Sequence, residues 1–222
     1  MDDELKKNIL KTGTSILGIV CKDGIVMAAD RQVTAGNIVM AKNERKISQI
    51  NDYTLIAATG MVSDSQMLTK VLTAELKLKE LRSKARPSIK DATGLFSMLI
   101  YRNIRQLSPI MGVVGALVGG YNSDGTFELY TLDFGGAIYK VEDYDANFGS
   151  GMPYILGILE RGYKKEMSVK DGIQLAIECI KSSTQRDTGS GHGIDVFVIT
   201  KDGIRQEVEE RIEPRYVAEE RK

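Results

Sequence analysis

The chain begins, after a short charged stretch, with apolar runs that double back on themselves. Ser15-Ile-Leu-Gly-Ile-Val-Cys-Lys22 and Ile25-Val-Met-Ala-Ala-Asp30 flank the turn Asp23-Gly24, a strong hairpin signal. A second pair follows: Lys46-Ile-Ser-Gln-Ile50, the turn Asn51-Asp52, then Tyr53 to Thr59 ending at Gly60. The period then changes. Met67, Val71, Leu72, Ala74, Leu76 and Leu78 are spread among Lys and Glu, which predicts an amphipathic helix over 63–83, stopped by Pro87. Residues 88–107 predict a second helix carrying Ala92, Leu95, Met98, Leu99 and Ile104. Strands return over 113–121, 126–133 and 137–142, then helices over 152–163 and 168–185, the last capped by Ser168 and containing Gly172. Two strands close the pattern, 194–200 and 204–208, about Lys201-Asp-Gly203. The tail, 209–222, is mostly charged and reads as a solvated helix or a disordered segment.

Strands, two helices, strands, two helices, strands: each helix pair connects segments of sheet. The economical arrangement is an α+β fold of four layers, αββα, with two antiparallel sheets face to face and a helix pair outside each. Val113-Val-Gly-Ala-Leu-Val118 is apolar on both sides, as a covered sheet requires.

Composition narrows the function classes. The 30 basic and 30 acidic residues cancel, which gives no electrostatic case for nucleic acid or an anionic membrane. No apolar stretch approaches the ~18 residues of a membrane span. Met1-Asp-Asp-Glu-Leu-Lys-Lys lacks the order of a signal peptide, so a cytoplasmic location is expected. A single histidine, His192, and two distant cysteines predict no metal site. Cys21 and Cys179 read as buried free thiols, or as one disulfide.

The candidate chemistry lies in short motifs: Gly13-Thr14-Ser15, Ala28-Ala29-Asp30-Arg31, Lys42-Asn-Glu-Arg-Lys46-Ile, Ala58-Thr-Gly60, Gly149-Ser150-Gly151 and Arg186-Asp187-Thr-Gly-Ser190-Gly191. Singly each is bland. Thr14 alone is a strand residue after a turn glycine, Asp30 a strand-end turn former, Lys46 a solvated lysine and Gly60 punctuation. In this order and spacing they are distinctive.

On these motifs the sequence resembles the β-subunits of the 20S proteasome, archaeal in type, over nearly the whole chain after residue 13. The resemblance implies an N-terminal-nucleophile hydrolase fold over 14–208 and a propeptide, 1–13, cleaved autocatalytically at Gly13-Thr14. Thr14 would then be both nucleophile and chain terminus, with its own amine available as a base. By the same resemblance Lys46 and Asp30 tune the proton transfer and Ser150, Asp187 and Ser190 orient the terminus. The backbone N–H of Gly60 stabilises the oxyanion. Glycine at 13 is expected because a Cβ would crowd the nucleophile.

The resemblance further implies a pocket for the residue before the scissile bond, lined by Val33, Thr34, Glu44, Ser48, Ala58 and Val62. Ala58 leaves it open, while Glu44 stands where a small or apolar residue is expected. A broad hydrophobic preference with some tolerance for basic residues follows. Expected partners are proteasome α-subunits, other β-subunits in seven-membered rings, a regulatory ATPase and unfolded polypeptide, with no cofactor, nucleic acid or membrane. The alternative is a non-catalytic ring subunit that retains its propeptide. An α-type subunit, which starts differently, and the related two-ring bacterial protease fit less well.

Overall fold

The computed structural model describes residues 13–213. Most of the expected propeptide and of the charged tail therefore lies outside the described residues.

The two opening hairpins form as the pattern predicts: β1 (Ile16–Cys21) with β2 (Gly24–Asp30), and β5 (Ile47–Asn51) with β6 (Thr54–Gly60). Between them lies a two-stranded excursion, β3 (Val33–Ala35) and β4 (Ile38–Ala41), which the sequence reading missed. Its strands are three and four residues long, too short for alternation to register. Helices α1 (Val62–Ser83) and α2 (Ile89–Ile104) come next, then β7 (Val114–Tyr121), β8 (Phe127–Leu132), β9 (Ile138–Val141) and the two-residue β10 (Tyr144–Asp145). Helices α3 (Met152–Gly162) and α4 (Val169–Arg186) precede the final hairpin, β11 (Gly193–Thr200) and β12 (Gly203–Arg211).

Two five-stranded antiparallel sheets result, ordered β10-β1-β2-β11-β12 and β5-β6-β7-β8-β9. Alternation along each strand decides what each face meets. In β2, Ile25, Met27 and Ala29 join Leu55, Ala57, Leu117 and Leu129 in the layer between the sheets. Val26 and Ala28 face the other way, into a cluster with Ile155 and Leu159 of α3 and Leu175, Ala176, Cys179 and Ile180 of α4. In the second sheet Ile56, Ala116 and Val118 pack instead on Leu68, Leu72 and Leu76 of α1 and Phe96 and Ile100 of α2. This is the four-layer αββα arrangement.

Local signals account for the helix boundaries. Ser88 and Asp91 form a reciprocal capping box on α2, and the Ser168 side chain accepts the Asp171 N–H at the start of α4. The buried stripes differ from those expected. Helix α1 buries only Leu68, Leu72 and Leu76, leaving Met67 and Leu78 exposed. In α2, Phe96 and Ile100 take the core positions and Met98 is exposed. Residues four apart share a face, so one face buries a narrow set. The last strand also runs three residues past the expected boundary at 208, to Arg211.

Cys21 and Cys179 are free and buried on the α3–α4 side of the first sheet. Burial pushes both thiols up to about 12, which makes them poor nucleophiles at neutral pH.

Candidate active site

Antiparallel register places the beginnings of β1, β5, β7 and β11 beside the ends of β2 and β6. Ile16 pairs with Ala29, Asp30 with Ile194, Ile47 with Ala57, and Gly60 with Val114. Thr14 just before β1, Asp30 ending β2, Lys46 just before β5 and Gly60 ending β6 therefore gather at one end of the sandwich. Residues far apart in sequence meet because strand ends meet.

Asp30 is fully buried and all its acceptor directions are used. Oδ1 accepts the Ser15 N–H at 2.8 Å and the Lys46 Nζ at 2.6 Å. Oδ2 accepts the N–H groups of Gln32 and Gly191, both at 2.9 Å. The Lys46 side chain is only 6% exposed. Burial pushes its ammonium below the usual lysine range, outweighing the opposing pull of the Asp30 carboxylate.

A second arm reaches Thr14 from the other side. The Thr14 N–H donates to Ser150 Oγ at 3.0 Å, and Ser150 Oγ donates to Asp187 Oδ2 at 2.6 Å. Ser190 Oγ donates to the same oxygen at 2.6 Å. Ser15 Oγ lies 2.7 Å from Ser190 Oγ; since Ser190 spends its proton on Asp187, Ser15 donates. Asp187 is itself the C-cap residue of α4, its N–H bonded to the Ser183 carbonyl.

The Thr14 hydroxyl donates to the Gly13 carbonyl oxygen at 2.6 Å, beside the carbon that the expected cleavage would require it to attack. Glycine at 13 is dictated by packing against a different group from the one expected: a Cβ there would lie 2.1 Å from Gly189 Cα. At Gly60 the backbone has φ +102°, and a Cβ would meet the Val113 carbonyl oxygen at 2.1 Å. Position 60 excludes every side chain.

Thr14, Lys46 and Gly60 open onto a cleft of about 460 Å³, part of it open to solvent, between the β5–β6 hairpin and the first turns of α1. Glu44, Ser48, Ala58 and Val62 line it, as expected, and Arg45, Gln66 and Thr69 join them. Val33 and Thr34 are not among its lining residues. Thr34 instead accepts the Gly13 N–H on its hydroxyl at 2.9 Å, holding the backbone upstream of Thr14.

Sequence reasoning missed several participants. Ser15, Gln32 and Gly191 reach Asp30 through backbone N–H groups, which side-chain identity does not advertise. It also missed a buried ionic network behind the site. Arg31, fully buried, pairs with Asp195 and with Glu209 at 3.0 Å, and donates to Asn43 Oδ1 at 2.8 Å. Glu209 also pairs with Arg45 at 2.9 Å. Asn43 and Arg45 flank Glu44 and precede Lys46, so the network anchors the segment that delivers the lysine.

Comparison with known proteins shows the family. A family model described as "Proteasome subunit" matches residues 10–199. A proteasome subunit beta of Nanoarchaeum equitans is 42% identical over 193 residues, covering 87% of this chain and 96% of the relative. One from Thermoplasma acidophilum is 39% identical, covering 93% and 94%, and one from Methanopyrus kandleri is 38% identical, covering 92% and 95%. Fold, site and relatives converge: the chain belongs to the proteasome subunit family, among its β-subunits.

Proposed function

We propose that the chain is a catalytic threonine endopeptidase subunit of a 20S-type core particle, activated by cleavage between Gly13 and Thr14. The observation that carries this reading is the gathering of two polar arms around Thr14: Ser150–Asp187–Ser190 is bonded to its nitrogen, and Asp30–Lys46 holds the N–H of Ser15 next to it and presents the lysine to the same cleft. A strand-start threonine with only a structural duty needs neither arm.

In the processing step Thr14 Oγ forms a bond to the Gly13 carbonyl carbon and gives up its proton. The Gly13–Thr14 C–N bond breaks, and the departing nitrogen takes a proton to become an amine. The resulting ester is hydrolysed by water, freeing the Gly13 carboxylate and the Thr14 hydroxyl. In peptide hydrolysis the same oxygen attacks a substrate carbonyl, with the new amine as proton acceptor. Lys46 promotes the transfer, its proton affinity lowered by burial. The Gly60 N–H is the donor assigned to the oxyanion, a role worth about 3 kcal/mol in comparable sites.

The particle assigned to this subunit stacks α- and β-rings of seven, in the cytoplasm, and receives unfolded polypeptide through the α-ring from a regulatory ATPase. Intact mass after co-assembly with α-subunits tests the reading. Loss of residues 1–13 together with peptide hydrolysis supports it. A full-length chain in an assembled, inactive particle would favour a structural ring subunit.

A further inference from the structure

Ser150 binds the Thr14 nitrogen, yet it is itself exposed, so its place is set by the backbone on either side of it. The segment 147–151 closes on Thr14. The Gly151 N–H donates to the Thr14 carbonyl oxygen at 3.1 Å, and a Cβ at Gly149 would lie 2.3 Å from the same oxygen. Among the described residues, the hydrogen bonds that tie this segment to the second sheet come from one side chain, Asn147. Its Nδ2 donates to the Ala116 carbonyl oxygen at 3.0 Å, to Thr131 Oγ1 at 2.8 Å and to the Leu132 carbonyl oxygen at 3.1 Å. Ala116 lies on β7 and pairs with Ala58 of β6, the strand that ends at Gly60. Asn147 is buried and its backbone is left-handed, with φ +46°.

We propose that Asn147 is a positioning residue for Thr14: its three hydrogen bonds to the second sheet fix the segment that brings Ser150 to the Thr14 nitrogen. The proposal rests on Thr14 being the nucleophile, and it adds a residue that touches neither Thr14 nor substrate. Two requirements meet at position 147. The left-handed backbone suits asparagine better than most residues with a side chain. Three acceptors around the amide also demand a donor, which the NH₂ end supplies by sharing two hydrogens among them. The Oδ1 end has no hydrogen-bond partner and lies toward Gly115, where a Cβ would come within 2.7 Å of it. Aspartate would meet the first requirement but set a carboxylate against three oxygens. Glycine would meet the first and leave the ties unmade. Asn147 therefore holds the Ser150 arm at a fixed place relative to the sheet that carries Gly60.

The distinguishing substitution is Asn147→Gly, which keeps the left-handed backbone and removes only the ties. In assembled particles, processing is followed by intact mass, and hydrolysis of a fluorogenic peptide gives kcat and KM. The expected result is slower processing and a fall of about 10- to 100-fold in kcat, with KM changed by less than about twofold because the substrate cleft is untouched. Wild-type processing and kcat in this variant overturn the proposal, as does a loss that falls on KM alone. Asn147→Asp should lose at least as much; wild-type behaviour there would mean that the three hydrogen bonds carry nothing. Amide hydrogen exchange on the same particles gives a readout that needs no catalysis. Exchange at Gly151 should quicken in Asn147→Gly while Gly172, bonded to the Ser168 carbonyl oxygen in α4, stays unchanged. No change at Gly151, or equal quickening at both, overturns the proposal. A wild-type particle that neither processes nor hydrolyses sinks the catalytic reading of Thr14, and exchange at Gly151 then still decides Asn147.

Discussion

The two carboxylates that serve Thr14 are held by opposite kinds of partner. Asp30 is fully buried and takes four N–H donors, three from the backbone and one from Lys46. Asp187 is half-buried at a helix end and takes two hydroxyls and one backbone N–H. Backbone donors in paired strands are fixed in direction, and a lysine only donates. A hydroxyl both donates and accepts, and it can turn. The first arm therefore sets a fixed arrangement of polar groups next to Thr14. Under the proposed cleavage, the second can adapt to Thr14 nitrogen as an amide before it and as an amine afterwards.

Removing the hydroxyl of the residue that the two arms surround should have the largest effect. Thr14→Ala is expected to abolish both processing and peptide hydrolysis, read by intact mass and by turnover of the assembled particle. Residual turnover above background would end the nucleophile assignment. Asp30→Asn should come next, because it leaves Lys46 without its buried counter-charge. We expect a loss of about a thousandfold in turnover and roughly 3 kcal/mol in stability, measured by denaturant unfolding of the isolated subunit. Asp187→Asn should cost less, about 10- to 100-fold in processing rate, since the hydroxyls it binds retain an acceptor. If Asp187→Asn proves as damaging as Asp30→Asn, the contrast between a fixed arm and an adaptable one fails.

The smallest effect is one of pH. Lys46 titrates below the ordinary 10.5, so between its folded value and 10.5 the unfolded chain holds more protons than the folded one. Stability therefore rises with pH through that window, and the cost of burying the ammonium is fully present below it. Comparing the pH dependence of unfolding with that of Lys46→Met isolates this contribution; parallel curves would mean that burial leaves the lysine's proton affinity unchanged.

The layers were legible in the sequence because they follow from hairpins with marked turns, whereas the grouping of Thr14, Asp30, Lys46 and Gly60 came from the resemblance carried by their motifs. The turn at Asp23-Gly24 sets the β1–β2 register, which pairs Ile16 with Ala29 and so brings Asp30 beside Ser15, the neighbour of Thr14. What stayed hidden depends on partners with no local signature. Arg31 is fully buried because Asp195 and Glu209 arrive from the far end of the chain, which its own motif does not reveal. Phe96 rather than Met98 faces the core of α2, a matter of helix rotation that a scatter of apolar residues does not fix. Val33 and Thr34 sit on a short hairpin whose position only the fold determines; Thr34 serves the upstream backbone, outside the cleft.

The reach of β12 to Arg211 sets a limit on where the polypeptide can be shortened. A stop codon after Val208 would appear to remove only charged tail, but it also deletes Glu209. Arg31 would lose one of its two counter-ions inside the protein, and Arg45 would swing free beside the cleft. The segment carrying Glu44 and Lys46 would keep its ties through Asn43, Gln66 and Asp30 but lose the one through Arg45. Epitope tags joined beyond residue 213 spare this tie, whereas trimming by five residues more would reach the cleft beside Thr14 from the opposite terminus.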